Sequence, residues 1–162
     1  RCRGGLWDVD VATNTLYWPA RVKAMFGISP EADATLDDFV ACLHPADAPA
    51  VLRAFAAAQD PAIRTVYDVE YRTVGKEDGV VRWVAAKGRG IFDEDGRCIR
   101  AIGTAIDITE RKQAETLQNA TQRRLDLLNR IEHATRPLVD ALDVMQVTAR
   151  LLGEHLGATR CA

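Results

Sequence analysis

The run Gly103-Thr104-Ala105-Ile106-Asp107-Ile108-Thr109-Glu110-Arg111-Lys112 changes character in its middle. Up to Ile108 it is β-branched and small, which suits an extended strand packed closely against its neighbours. From Thr109 onward helix formers dominate, and residues 110–134 contain neither Gly nor Pro. Thr109 is a natural N-cap, and Glu110 falls where the helix dipole favours an acid. The residues predict a strand that passes into a long polar helix. Asp107, Ile108 and Thr109 form the junction, with Asp107 expected to make charge-assisted contacts at the helix start while Thr109 caps it.

Upstream, the period is two. Asp95-Gly96 turns the chain into Cys98–Ile108, and Asp78-Gly79 turns it into Val80-Val81-Arg82-Trp83-Val84. Before that, Tyr67, Val69 and Tyr71 alternate with Asp68, Glu70 and Arg72, giving one apolar and one charged face. These three segments predict an antiparallel meander. Residues 5–18 read as a first hairpin turned at Ala12-Thr13-Asn14. Short helices are expected between: Arg21–Phe26 ended by Gly27, one started by Ser29-Pro30-Glu31, one opened by Thr35, and one capped by Asp47 after His44-Pro45. The fold class is α+β, a five-stranded antiparallel sheet with short helices inserted after strand two, plus C-terminal long helices.

Downstream, Asp126/Arg130 and Glu132/Arg136 are acid-before-base pairs at helical spacing. Pro137 interrupts, and a second amphipathic helix carries Val144, Val147, Thr148, Leu151 and Leu152 towards Gly153 and Gly157. The chain has 162 residues and net charge −2, so it has no basic excess for nucleic acid. No apolar run approaches a membrane span, and the N-terminus lacks a signal-peptide pattern. Beginning at Arg1, the chain is expected to be a piece of something longer. Cys2, Cys42, Cys98 and Cys161 lie far apart without metal-ligand spacing, which points to free thiols in a reducing cytoplasm and to no metal site.

The order of these elements resembles a PAS domain over roughly residues 4–112. The motifs that carry the resemblance are Gly5-x-Trp7, Phe26-Gly27, His44-Pro45-x-Asp47, Glu70-Tyr71-Arg72, Asp78-Gly79 with Trp83, and the Gly103–Lys112 run. That run is similar to the Asp-Ile-Thr junction where PAS domains hand over to a coiled-coil signalling helix. The tail, Leu127 through Cys161, is similar to the opening of a GAF domain. The implied organisation is a PAS domain at 1–109, a signalling helix at 110–136 and a GAF helical stub at 137–162. The implied function is a cytoplasmic, non-catalytic sensory or relay module of a bacterial signalling protein. A sensor histidine kinase is the foremost parent, with a cyclic-dinucleotide enzyme as the lesser one.

Three residues invite sharper readings. Haem sensors of this family place their histidine within the helix that follows His44-Pro45, but residues 48–59 contain none, so His44 reads as a turn residue. Cys42 lacks the neighbours that set a photoactive thiol over a flavin, and reads as a buried structural cysteine. His133 sits in Ile131-Glu132-His133-Ala134-Thr135-Arg136-Pro137, where a phosphoacceptor histidine would be followed directly by an acid. A degenerate phosphoacceptor hairpin over residues 110–157 is therefore the runner-up, and a ligand-free PAS scaffold the third reading. Haem and flavin are not expected; an unidentified small molecule in the PAS core remains open. Along the helix, Ala114, Leu117, Thr121, Arg124, Leu128, Ile131 and Thr135 fall on a 3-4 spacing. This weak seam, centred on Leu117, Thr121, Leu128 and Ile131, predicts a parallel homodimer.

Overall fold

The alternation at Tyr67–Val74 becomes a strand with Tyr67, Tyr71 and Thr73 buried and Asp68 and Glu70 exposed. A one-residue slip would turn the tyrosines to water, so burial fixes the register. The computed structural model describes residues 4–135 and 141–157. In chain order the elements are β1 (Gly4–Asp10), β2 (Thr15–Tyr17), α1 (Ala20–Met25), α2 (Leu36–Cys42), α3 (Ala48–Gln59), β3 (Tyr67–Val74), β4 (Val81–Phe92), β5 (Cys98–Asp107), α4 (Thr109–Thr135) and α5 (Ala141–Leu156). The chain divides into two compact units, Arg1–Lys112 and Gln113–Ala162.

The five strands form one antiparallel sheet in the order β2-β1-β5-β4-β3. Both Asp-Gly turns form as expected, with Gly79 at φ 65° and Gly96 at φ 81°, backbone angles at which a side chain is strained. The inner face carries Trp7, Val9, Tyr67, Tyr71, Val84, Ala86, Ala101 and Ala105 into a core shared with Trp18, Val22, Phe26, Phe39 and Val51 of the helical segment. Within it Trp18 stacks on Phe26 at 4.1 Å between centroids, and Phe39 and Phe55 meet tilted at 5.9 Å.

The helical segment is tied to the sheet by polar contacts. Thr35 and Asp38 make a reciprocal capping box at the start of α2. Past the end of α2, the backbone N–H of His44 donates to the Arg72 carbonyl at 3.0 Å, covering part of the exposed edge of β3. The fully buried Thr73 hydroxyl donates to the Met25 carbonyl at 2.8 Å. In the β3–β4 turn, the Lys76 and Glu77 amides donate to the carbonyls of Phe26 and Gly27.

Three local expectations change. Ser29-Pro30-Glu31 forms a turn instead of a helix start, because the Ser29 amide and hydroxyl both donate to the Glu77 carboxylate, at 2.8 and 2.6 Å. Asp47 does not cap α3; its carboxylate is taken by Arg72. Asp126 accepts from Gln122 while Arg130 pairs with Glu154 of α5 at 3.1 Å, so the expected Asp126/Arg130 pair is absent. Arg136, Pro137, Cys2 and Cys161 lie outside the described residues.

A Cβ on Gly103 would fall against the Lys87 carbonyl and within 2.6 Å of the Trp7 ring, whereas one on Gly79 would meet nothing within 4 Å. Gly103→Ala is expected to destabilise the first unit by about 2–3 kcal/mol through overpacking, and Gly79→Ala by only about 1 kcal/mol through its positive φ. Urea unfolding of the two variants measures the difference.

Candidate functional site

Two features stand out: a cavity on the inner face of the sheet, and a polar cluster where β5 becomes α4. Strand pairing builds the cavity floor. Trp7 of β1 pairs with Gly103 of β5, Gly103 with Gly88 of β4, and Gly88 with Tyr67 of β3. Without side chains, the two glycines leave a trough, and the Trp7 indole lies across it towards Tyr67, ring to ring at 5.9 Å and 90°. The remaining space is about 30 Å³ and is lined mainly by Trp7, Trp18, Phe26, Phe39, Phe55, Tyr67 and Tyr71. That volume suits about one or two waters. Among the described residues, Trp7 Nε1 and the Tyr67 hydroxyl are buried without a hydrogen-bond partner. Tyr71 lies close enough to Tyr67 to bias its ionisation without reaching hydrogen-bond geometry, and burial pushes both phenols above their ordinary range.

No histidine lies on α3. His44 Nδ1 accepts from the Ala46 amide at 3.2 Å, a turn-stabilising role. The Cys42 thiol is buried, donates to the Phe26 carbonyl at 3.7 Å, and is pushed up by burial, which disfavours the thiolate. Among the described residues, no group of His, Cys, Asp and Glu is placed to hold a metal ion.

At the junction, Asp107 Oδ1 accepts from the Thr109 amide at 2.9 Å, so a carboxylate meets one of the orphan donors at the helix start. The Thr109 hydroxyl, expected to cap its own helix, accepts instead from the Trp83 amide of β4 at 2.9 Å. The Ile108 amide in turn donates to the Trp83 carbonyl at 2.9 Å, and the Ile108 side chain is buried. Trp83 therefore grips the junction through both of its backbone groups. On the outer face, Glu70 of β3 pairs with Arg111 at 2.6 Å and Lys112 at 2.7 Å, and these two cations hold its carboxyl below the usual range. The Lys112 ammonium lies 5.1 Å from the centre of the Trp83 ring, and the Arg72 guanidinium 5.4 Å from it. Arg72 makes a two-pronged pair with Asp47 at 2.7 and 2.8 Å, which holds the Asp47 carboxyl at about 2.

The sequence reading singled out Asp107, Ile108 and Thr109 but passed over Trp83 and Glu70 as site residues, because their role depends on strands meeting in space. An indole opposite an arginine on paired strands is the signal that was available, given the register. In the second unit, Leu117, Thr121 and Leu128 are exposed and Ile131 half-buried, and the Thr121 hydroxyl donates to the Leu117 carbonyl at 3.0 Å. His133 is exposed in the last turn of α4.

The chain matches the family model described as the PAS fold over residues 15–105. It is 31% identical over 111 residues to the sensor protein FixL of Bradyrhizobium diazoefficiens, covering 68% of this chain and 21% of that protein. It is 27% identical over 111 residues to a blue-light-activated histidine kinase of Brucella anthropi, again covering 68% of this chain and 21% of the relative. This chain thus spans about a fifth of the length of those relatives. Among solved structures, a sensory box histidine kinase/response regulator from Burkholderia thailandensis superposes with a TM-score of 0.63 at 28% identity, over 77% of this chain and 92% of that one.

Arg72 lowers the Asp47 carboxyl from its usual 3.8 to about 2, so the pair's stabilisation is full above about pH 4 and is lost as pH falls through 2. Asp47→Asn is expected to cost about 1–2 kcal/mol at pH 7, with the gap to wild type closing towards pH 2. Urea unfolding across that pH range measures it.

Proposed function

The chain belongs to the PAS-fold family, and from that membership we propose that it is a cytoplasmic sensory or relay module of a bacterial signalling protein, foremost a sensor histidine kinase. The observation that carries the proposal is the continuity of β5 into α4 through a hydrogen-bonded junction, in a domain with an apolar cavity on the inner face of the same sheet. A change in the core, from ligand or partner, is passed through Asp107, Ile108 and Thr109 to the helix. The relatedness to sensor kinases supports the choice of parent. The module itself performs no chemistry.

The proposed assembly is a parallel homodimer along α4, with Leu117, Thr121, Leu128 and Ile131 at its seam. Its support is the 3-4 spacing and the exposure of Leu117 and Leu128, which are 70% and 52% accessible. A seam that mixes leucine with threonine is weak, so a signal of about a few kcal/mol is enough to shift its register. The amphipathic α5 is proposed to open a GAF domain.

In the full-length protein, Asp107→Ala is expected to abolish the response of output to stimulus while changing the melting temperature of the first unit by only a few degrees. An unchanged response removes the junction from the pathway. Sedimentation of this chain at tens of micromolar is expected to give a dimer, and Leu128→Glu a monomer. A wild-type monomer, or a variant that stays dimeric, refutes the seam.

A further inference from the structure

We propose that Trp83 is a positioning residue that couples the start of α3 to the first turn of α4, through a chain of charges on the outer face of the sheet. The inference deepens the relay reading above and names the residues that carry it beyond the Asp107–Thr109 junction.

The two faces of β3 make the connection. Tyr67 and Tyr71 look into the cavity, while Glu70 and Arg72, between and beside them, look outward. Arg72 is the register partner of Trp83. It reaches Asp47, which immediately precedes α3, by three hydrogen bonds: two from the guanidinium and one from its own amide at 2.9 Å. α3 carries Phe55 on the wall of the cavity and buries Val51 in the core. A displacement of α3 therefore moves Asp47, and Arg72 with it.

Trp83 then links two cations that belong to different elements. Arg72 and Lys112 both lie within cation–π range of the same ring. Each has its own acid, Asp47 for Arg72 and Glu70 for Lys112. Like charges sharing one ring repel unless both are neutralised, so weakening the Asp47–Arg72 pair raises the cost of keeping Lys112 in place. The backbone of Trp83 adds a rigid path, since its amide and carbonyl hold Thr109 and Ile108. Five consecutive contacts thus run from α3 to α4: Asp47 to Arg72, Arg72 to Trp83, Trp83 to Lys112, Lys112 to Glu70, and Glu70 to Arg111.

The test reads coupling within this chain and needs neither a ligand nor an output domain. Amide hydrogen exchange at Ile108, Thr109 and Lys112 is followed by NMR, each rate normalised to the buried Val84 so that global destabilisation cancels. Asp47→Asn, which touches none of those amides, is expected to speed them by about threefold or more. In a Trp83→Leu background, the same substitution is expected to add less than about half that factor, because the path is already cut. Asp8→Asn, which breaks the Asp8–Arg100 pair elsewhere on the sheet, is expected to leave all three amides unchanged. Rates unaltered by Asp47→Asn, or fully multiplicative effects in the double variant, overturn the proposal. Such a failure leaves the relay reading standing if Asp107→Ala still silences the full-length protein. Coupling observed alongside a silent junction variant supports both.

Discussion

Pairing of β1 with β5, from Gly4 opposite Ile106 to Asp10 opposite Arg100, is the contact on which the domain rests. It brings the beginning of the described chain beside the last strand and leaves β5 held on both sides, by β1 and β4. Only in that register does Trp7 face Gly103, and only then can its indole lie across the trough that Gly103 and Gly88 leave open. The same pairing sets Asp8 against Arg100 on the outer face, a charged pair across the joint. Because β5 is central, it is flanked by β1 up to Ile106 and by β4 as far as Asp107, and α4 starts from a well-anchored point.

The sheet works as a partition with unlike faces. Its inner side is aromatic, and among the described residues Trp7 Nε1 and the Tyr67 hydroxyl stand out there as buried and unmatched. Its outer side near the junction is ionic, with Asp47, Glu70, Arg72, Arg111 and Lys112 arranged about one indole. The exposed Glu70 pairs contribute little alone, and the part-buried Asp47–Arg72 pair more. Arranged around a shared ring and two backbone hydrogen bonds, they restrict each other's positions, and specificity of geometry matters more here than strength.

Much of this was readable from the residues. Period-two alternation fixed β3 and its inward tyrosines, the Asp-Gly pairs placed both turns, and the change of composition at Thr109 marked where α4 begins. What could not be read was which donor takes which acceptor across distant segments. Asp47 looked like a helix cap because its local neighbours fit one, yet an arginine from β3 offers a two-pronged partner that a lone amide cannot match. Thr109 looked like a cap for the same reason, and Trp83 claims its hydroxyl. Trp83 and Glu70 acquire their roles only through the strand register, which one-dimensional spacing does not specify. The seat of the Trp7 indole was equally invisible, since it depends on Gly88 and Gly103 being opposite each other.

The β1–β5 pairing also sets a timetable for folding. The β3–β4–β5 meander is local in sequence, but β1 must wait for partners 90 (Asp10 to Arg100) to 102 (Gly4 to Ile106) residues downstream, which raises the contact order and slows the final step. On the ribosome, β1 and its short hairpin partner emerge before the rest of this domain and remain with one edge open until Cys98–Asp107 has left the exit tunnel. The next residues to appear are those of α4. The domain therefore acquires its last strand as its helix is being made, so the strand that closes the sheet and the helix that leaves it are completed together.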